Sequence, residues 1–142
     1  MRGGFVVDNS VVMSWCFEDE ASPYADAALD ALRRGCALVP AVWGYEAANV
    51  LVVAVRRKRL KREDARRFAA TLRRLPIEAA APPDKAAVAA LLDLADETGL
   101  SAYDAAYLDL ARREHLPLAT TDAALRKAAV AAGVDLFAPD EP

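Results

Sequence analysis

Short apolar runs that alternate with long Ala-, Leu- and Arg-rich segments constrain this 142-residue chain more than any other feature. The runs, at residues 5–7, 37–39, 77–80, 118–119 and 136–137, are strand-sized and flanked by Gly, Pro, Asp or Thr. The segments between them, roughly 22–34, 41–58, 62–75, 84–98, 102–115 and 122–132, carry apolar residues at helical spacing. Strands alternating with helices predict βαβ units, and so an α/β fold: a central parallel sheet of four or five strands with helices on both faces. In such sheets the functional crevice opens off the carboxyl ends of the strands, where the strand order reverses.

A hydrophobic content of 55% suffices for a core, and no repeat, linker or composition break divides the chain, so one domain over residues 1–142 is expected. Pro82-Pro83 reads as a loop, and residues 138–142 as a short fraying acidic tail. Cys16, Cys36 and the one histidine, His115, cannot build a zinc site or a disulfide framework. No apolar run approaches the roughly 18 residues of a membrane span, and the N-terminus lacks a signal-peptide layout. A cytoplasmic protein with no membrane partner is the expectation.

A net charge of −3 gives no whole-molecule attraction to nucleic acid, so a polyanion would need a local patch or a metal. Such a patch exists. Ten of the eighteen basic residues lie between Arg56 and Arg74 with only Glu63 and Asp64 against them, which makes that segment +8 and leaves −11 on the remainder.

Four carboxylates stand out, each with an ordinary structural explanation beside it. Asp8 ends the first strand and, with Asn9 and Ser10, could form an Asx-turn or helix cap. Glu46 lies in PAVWGYEAANVLVVAV, where Pro40 opens a helix that is apolar on all sides and therefore expected to be buried, so Glu46 needs a partner. It shares a face with Asn49, and its place about five residues into the expected helix weakens the reading of a first-turn acid favoured by the dipole. Ser101 and Asp104 match a capping box. Asp109, about 140° round the helix from Asp104, is expected to face solvent or pair with Arg112 or Arg113. Thr121 or Asp122 could cap the helix that follows the fourth strand.

Together these acids mean more than each does alone. Two end parallel strands and two begin or line adjoining helices, so all four can point into one crevice. There they would repel one another and their pKa values would rise, with no Lys or Arg nearby in sequence to neutralise them. Hard oxygen ligands without His or Cys select Mg²⁺ or Mn²⁺, and an acidic pocket holding such ions suits phosphodiester cleavage.

Over nearly its whole length the chain resembles the PIN-domain family, in particular the small VapC-type toxin ribonucleases of bacterial toxin–antitoxin pairs. FVVDNSV, YEAANVL, LSAYDAAYLDLA and LATTDAAL carry the resemblance through their order and spacing. It implies a three-layer α/β/α fold and an acidic quartet of Asp8, Glu46, Asp104 and Asp122 binding Mg²⁺ or Mn²⁺, supported by hydrogen bonds from Ser10, Asn49 and Thr120. It also implies RNA hydrolysis by metal-activated water with the 3′-oxygen as leaving group, Asp104 or Asp122 accepting the water's proton, a VapB-type antitoxin partner, and a homodimer.

Within that frame Arg56, Arg57 and Arg59 are candidate RNA contacts, against the plainer reading of a solvated helix face whose long stems cover apolar surface. Trp15, Trp43 and Tyr45 read mainly as core, although the resembling toxins hold an antitoxin segment in this neighbourhood, which exposed aromatic area would fit. Two alternatives predict different chemistry. A non-catalytic Mg²⁺-binding or receiver-like regulator would need an Asp-Asp pair near the first strand, which the chain lacks. A PIN-fold nuclease with a non-toxin role would not be accompanied by a small DNA-binding partner.

Overall fold

The computed structural model describes residues 4–139. Three β-branched or aromatic residues form β1 (Phe5–Val7), followed at once by the short helix α1 (Asn9–Ser14) and a 3₁₀ turn (Glu18–Glu20). The chain continues through α2 (Pro23–Ala31), β2 (Ala37–Val39), α3 (Trp43–Arg56), α4 (Arg62–Arg74), β3 (Ile77–Ala79), α5 (Lys85–Thr98), α6 (Ala102–Glu114), β4 (Leu118–Ala119) and α7 (Ala123–Ala131). Local chemistry sets several boundaries. Ser22, Asp84, Ser101 and Asp122 cap α2, α5, α6 and α7 through their side chains, and Gly99 at φ +73° stops α5.

The four strands form one parallel sheet in the order β3-β2-β1-β4. Helices cover both faces, giving the three-layer α/β/α arrangement expected. Strand alternation divides the interior in two. Phe5 and Val7, Ala37 and Val39, and Ala119 pack with α1, α2 and α3 on one face, whereas Val6, Leu38 and Leu118 pack with α5, α6 and α7 on the other. The chain adds β2 and β3 on one side of β1 but places β4 on the other, so the order reverses between β1 and β4.

The structure departs from the sequence expectations in four places. The run at 136–137 contributes one bridge, Leu136 to Leu118, in place of a fifth strand, because only one residue aligns with β4. Helix α1 and the 3₁₀ turn lie outside the six helical segments expected; at six and three residues neither is long enough to show a helical period. Pro40 does not open α3: its carbonyl accepts from Trp43 N at 3.0 Å, making a turn, and the helix starts at Trp43. Nor is α3 buried all round. Its inward stripe is Ala47, Leu51 and Ala54, and the opposite face exposes Tyr45 (81%), Ala48, Asn49 and Val52. The expected tail at 138–142 lies largely outside the described residues; Ala138 and Pro139 are exposed. Among the described residues no helix is long and apolar enough to cross a membrane.

Candidate functional site

Asp8 and Thr120 stand where the sheet order reverses. The Asp8 amide extends the ladder by donating to Ala119 O at 2.9 Å, and the Asp8 carbonyl starts α1 by accepting from Val11 N and Val12 N. Its carboxylate does not cap that helix. Instead Oδ2 accepts the Ser10 hydroxyl at 2.7 Å and the Thr120 hydroxyl at 2.8 Å. Asp8 is 6% exposed and Thr120 fully buried, so these bonds replace solvation that the carboxylate has lost. The network extends outward: Thr121 N donates to Ser10 Oγ at 3.2 Å, and Asp122 N donates to Thr120 Oγ1 at 3.1 Å. Ser10 and Thr120 thus support Asp8 directly, and of the two adjacent threonines it is Thr120 that does so.

Glu46 reaches the same region from α3. Because the helix begins at Trp43, Glu46 lies in its first turn, where the helix dipole favours a carboxylate. This corrects the expectation of a position beyond the first turn. Its Oε1 accepts the Tyr107 hydroxyl of α6 at 2.6 Å. Tyr107 itself is fully buried. Asp104 is the third residue of α6, its amide donating to the Ser101 cap at 3.1 Å, so the Ser101–Asp104 pair opens the helix as the capping-box pattern expects. Asp122 caps α7 by accepting Leu125 N on Oδ1 at 3.0 Å.

The electrostatics tie these acids together. Burial pushes the Glu46 carboxyl above the ordinary glutamate range; the Tyr107 hydrogen bond opposes this, and the charges of Asp8 and Asp104 add to it. Burial likewise raises Asp104, reinforced by Asp8 and then Asp122 and opposed by Ser101. The Tyr107 phenol is pushed up by burial and by Glu46, and so remains a donor. None of the four acids is ion-paired among the described residues. A cation does lie nearby in sequence, contrary to expectation. Arg126 follows Asp122 by one helical turn, but its Nη1 donates to the Thr120 carbonyl at 2.7 Å and its guanidinium lies 5.2 Å from the Tyr24 ring centroid.

Three of the acids share a pattern. Asp8, Glu46 and Asp122 each have one oxygen held by protein donors, and the second oxygen takes no hydrogen bond among the described residues. Those second oxygens on Asp8 and Glu46 are not sealed from solvent. An all-oxygen donor set, mutually repelling and without a counter-ion, fits a hard divalent cation such as Mg²⁺ or Mn²⁺. Among the described residues no group of three or more acids converges closely enough to hold an ion alone.

Other candidates lie apart. Asn49 is exposed and makes no hydrogen bond among the described residues. Two residues beyond Ala47, it is turned about 200° from the buried stripe of α3, so it does not support Glu46. Arg56 and Arg57 are exposed at the far end of α3, about 15 Å along its axis from Glu46. Arg59 is held by its own chain: Nη2 meets Asp19 at 2.9 and 3.0 Å and Glu20 at 2.7 Å, and the guanidinium sits 3.8 Å above the Phe17 ring. Asp109 pairs with Arg113 at 2.8 Å, as expected. Trp15 and Trp43 are half-buried, with Trp15 Nε1 donating to Ala25 O. Sequence reasoning misses Tyr107 and Arg126; the need of a half-buried Glu46 for a donor was the available signal for Tyr107.

A family model described as PIN domain matches residues 5–131. Among solved structures, the chain is similar to the crystal structure of PAE2754 from Pyrobaculum aerophilum, with 24% identity and a TM-score of 0.66 over 88% of this chain and 78% of that one. It is also similar to FitAcB from Neisseria gonorrhoeae, with 20% identity and a TM-score of 0.64 over 95% of this chain and 97% of that one. At these identities the two structures speak to the fold. No curated protein matches the chain.

Proposed function

This chain belongs to the PIN-domain family, whose members are generally nucleases, and from that premise we propose that it is a Mg²⁺- or Mn²⁺-dependent endoribonuclease acting as the toxin of a toxin–antitoxin pair. The observation that carries the reading is the paired-strand end at Asp8 and Thr120, with Glu46, Asp104 and Asp122 coupled to it electrostatically and no basic side chain among the described residues ion-paired with them.

One or two of Asp8, Glu46, Asp104 and Asp122 would hold the cation directly, and the others would act on it through its bound waters. When bound, it would stabilise charge on the scissile phosphate and lower the pKa of a water. The chain's own residues do the rest. Ser10 and Thr120 fix the Asp8 carboxylate, Tyr107 fixes Glu46, and the Leu125 amide fixes Asp122. Asp104 or Asp122, each at the start of a helix beside Asp8, would accept the proton of the attacking water. Arg56 and Arg57 supply positive charge for RNA phosphates outside the acidic pocket.

The partners follow from the same reading. A second copy covers exposed apolar side chains of α5 and α6, Val88, Leu92 and Tyr103 among them; Tyr103 also lines a 510 Å³ cleft between α5, α6 and the loops after β2 and β3. A VapB-type antitoxin occupies the neighbourhood of Tyr45. The deciding experiment is sequencing of RNA ends after brief expression in cells, alongside cleavage of purified RNA with Mg²⁺, Mn²⁺ or chelator. Cleavage that persists in chelator, or no cleavage with either metal, refutes the assignment.

A further inference from the structure

We propose that Tyr107 is the positioning residue for Glu46, fixing one carboxylate oxygen so that the other is presented to the cation; this deepens the metal-nuclease reading above and rests on it. Tyr107 and Asp104 are three residues apart on α6 and so share a face of the helix. That face lies against β1, and Tyr107 is the largest fully buried side chain among the described residues. A phenol hydroxyl so placed must find an acceptor, and the one it reaches is Glu46 Oε1, at 2.6 Å and 61 residues away in sequence. The short distance is typical of a hydroxyl donating to a charged carboxylate.

The consequence for Glu46 is geometric. A glutamate has three side-chain torsions, and on an exposed helix turn it samples many rotamers. Anchored by a donor whose own ring is locked in the core, Glu46 keeps one of them. Its Oε2 takes no hydrogen bond among the described residues and remains in contact with solvent. Asp8 shows the same arrangement, Oδ2 taken by two hydroxyls and Oδ1 left over, but its donors come from α1 and the end of β4. Tyr107 is thus the link by which α6, which also carries Asp104, sets the position of a carboxylate on α3. Partners that orient a ligand in this way typically change metal affinity or activity by about 10- to 100-fold when removed.

The test measures Mn²⁺ affinity by electron paramagnetic resonance of the unbound ion at one neutral pH, with RNA cleavage and circular dichroism alongside, for the wild type, Tyr107→Phe, Glu46→Gln, their combination, and Asp8→Asn. Tyr107→Phe is expected to keep the fold, to lose about tenfold or more in Mn²⁺ affinity, and to lower kcat with little change in KM for RNA. In the Glu46→Gln background the same Phe substitution is expected to change Mn²⁺ affinity by less than about twofold, because a residue acting only through Glu46 has nothing left to position. In the Glu46→Asp background, where the carboxylate keeps its charge but is withdrawn from the phenol, adding Tyr107→Phe is likewise expected to change Mn²⁺ affinity by less than about twofold. Wild-type affinity in Tyr107→Phe, or an equal loss with and without Glu46, overturns the positioning role while leaving the nuclease reading in place. A wild-type protein that neither binds Mn²⁺ more tightly than Asp8→Asn nor cleaves RNA overturns both.

Discussion

The Thr120 hydroxyl lies 2.8 Å from Asp8 Oδ2, joining the ends of two adjacent parallel strands across 112 residues of sequence. The same hydroxyl oxygen accepts the Asp122 amide at 3.1 Å. Thr120→Val keeps the shape and removes both bonds, leaving a buried carboxylate short of a donor. We expect a loss of about 2 kcal/mol in urea unfolding together with reduced cleavage, and recovery of most of both in Thr120→Ser. Wild-type stability in the valine variant would show that Ser10 alone satisfies Asp8.

Metal binding should stabilise the fold. At a Mg²⁺ concentration about 100-fold above its dissociation constant, the native state gains about 2.7 kcal/mol, visible as a rise in Tm that chelator reverses. In Asp8→Asn the circular dichroism spectrum should remain native while both the metal-dependent rise and RNA cleavage disappear. A rise of the same size in that variant would place the ion elsewhere.

The pH dependence of the metal-free protein follows from Glu46. Its carboxyl is raised in the folded state, chiefly by burial, so the native chain holds this proton more tightly than the unfolded chain does. Its contribution to stability is therefore greatest when protonated, and it falls as pH rises from the ordinary glutamate range up through the folded value. Glu46→Gln should consequently melt at a higher temperature than wild type at neutral pH without metal, and the gap should close on acidification below the ordinary range. A gap independent of pH would assign the effect to something other than ionisation.

Arg56 and Arg57 differ from Arg59 in what their substitution should do. Replacing the first two by Gln should weaken RNA binding and reduce the slope of log affinity against log salt by about 0.7 for each RNA phosphate no longer neutralised. Arg59, held by Asp19 and Glu20 over Phe17, should leave that slope unchanged when replaced by Gln, and should instead speed amide exchange around residues 17–20. A changed slope in the Arg59 variant would mean that its ion pairs open to admit RNA.

The parallel sheet is legible in the sequence because it depends on local order: short apolar runs alternate with helical segments, and Asp8 closes the first run. What depends on distant neighbours is not. Tyr107 looks like one more apolar residue of LSAYDAAYLDLA until its partner 61 residues away is known. Arg59 reads as surface charge until Asp19 and Glu20 are seen beside it. Asn49 misleads for a different reason. Its spacing from Glu46 is helical, but only the stripe of Ala47, Leu51 and Ala54 reveals which way α3 is rotated, and a helix of almost uniform hydropathy gives that stripe no contrast. Helix α1 is hidden for another reason: six residues, with Asn9, Ser10 and Ser14 among them, are too few to display a helical period.

In β1 the side chains of Phe5 and Val7 face one core and that of Val6 the other, and Asp8 follows without an intervening residue. The strand is three residues long, so it has no slack in which an error of register could be absorbed. Deleting one residue there would exchange the two interiors and at the same stroke carry the carboxylate away from Thr120. The spacing of this segment is therefore governed jointly by the demands of packing and of chemistry.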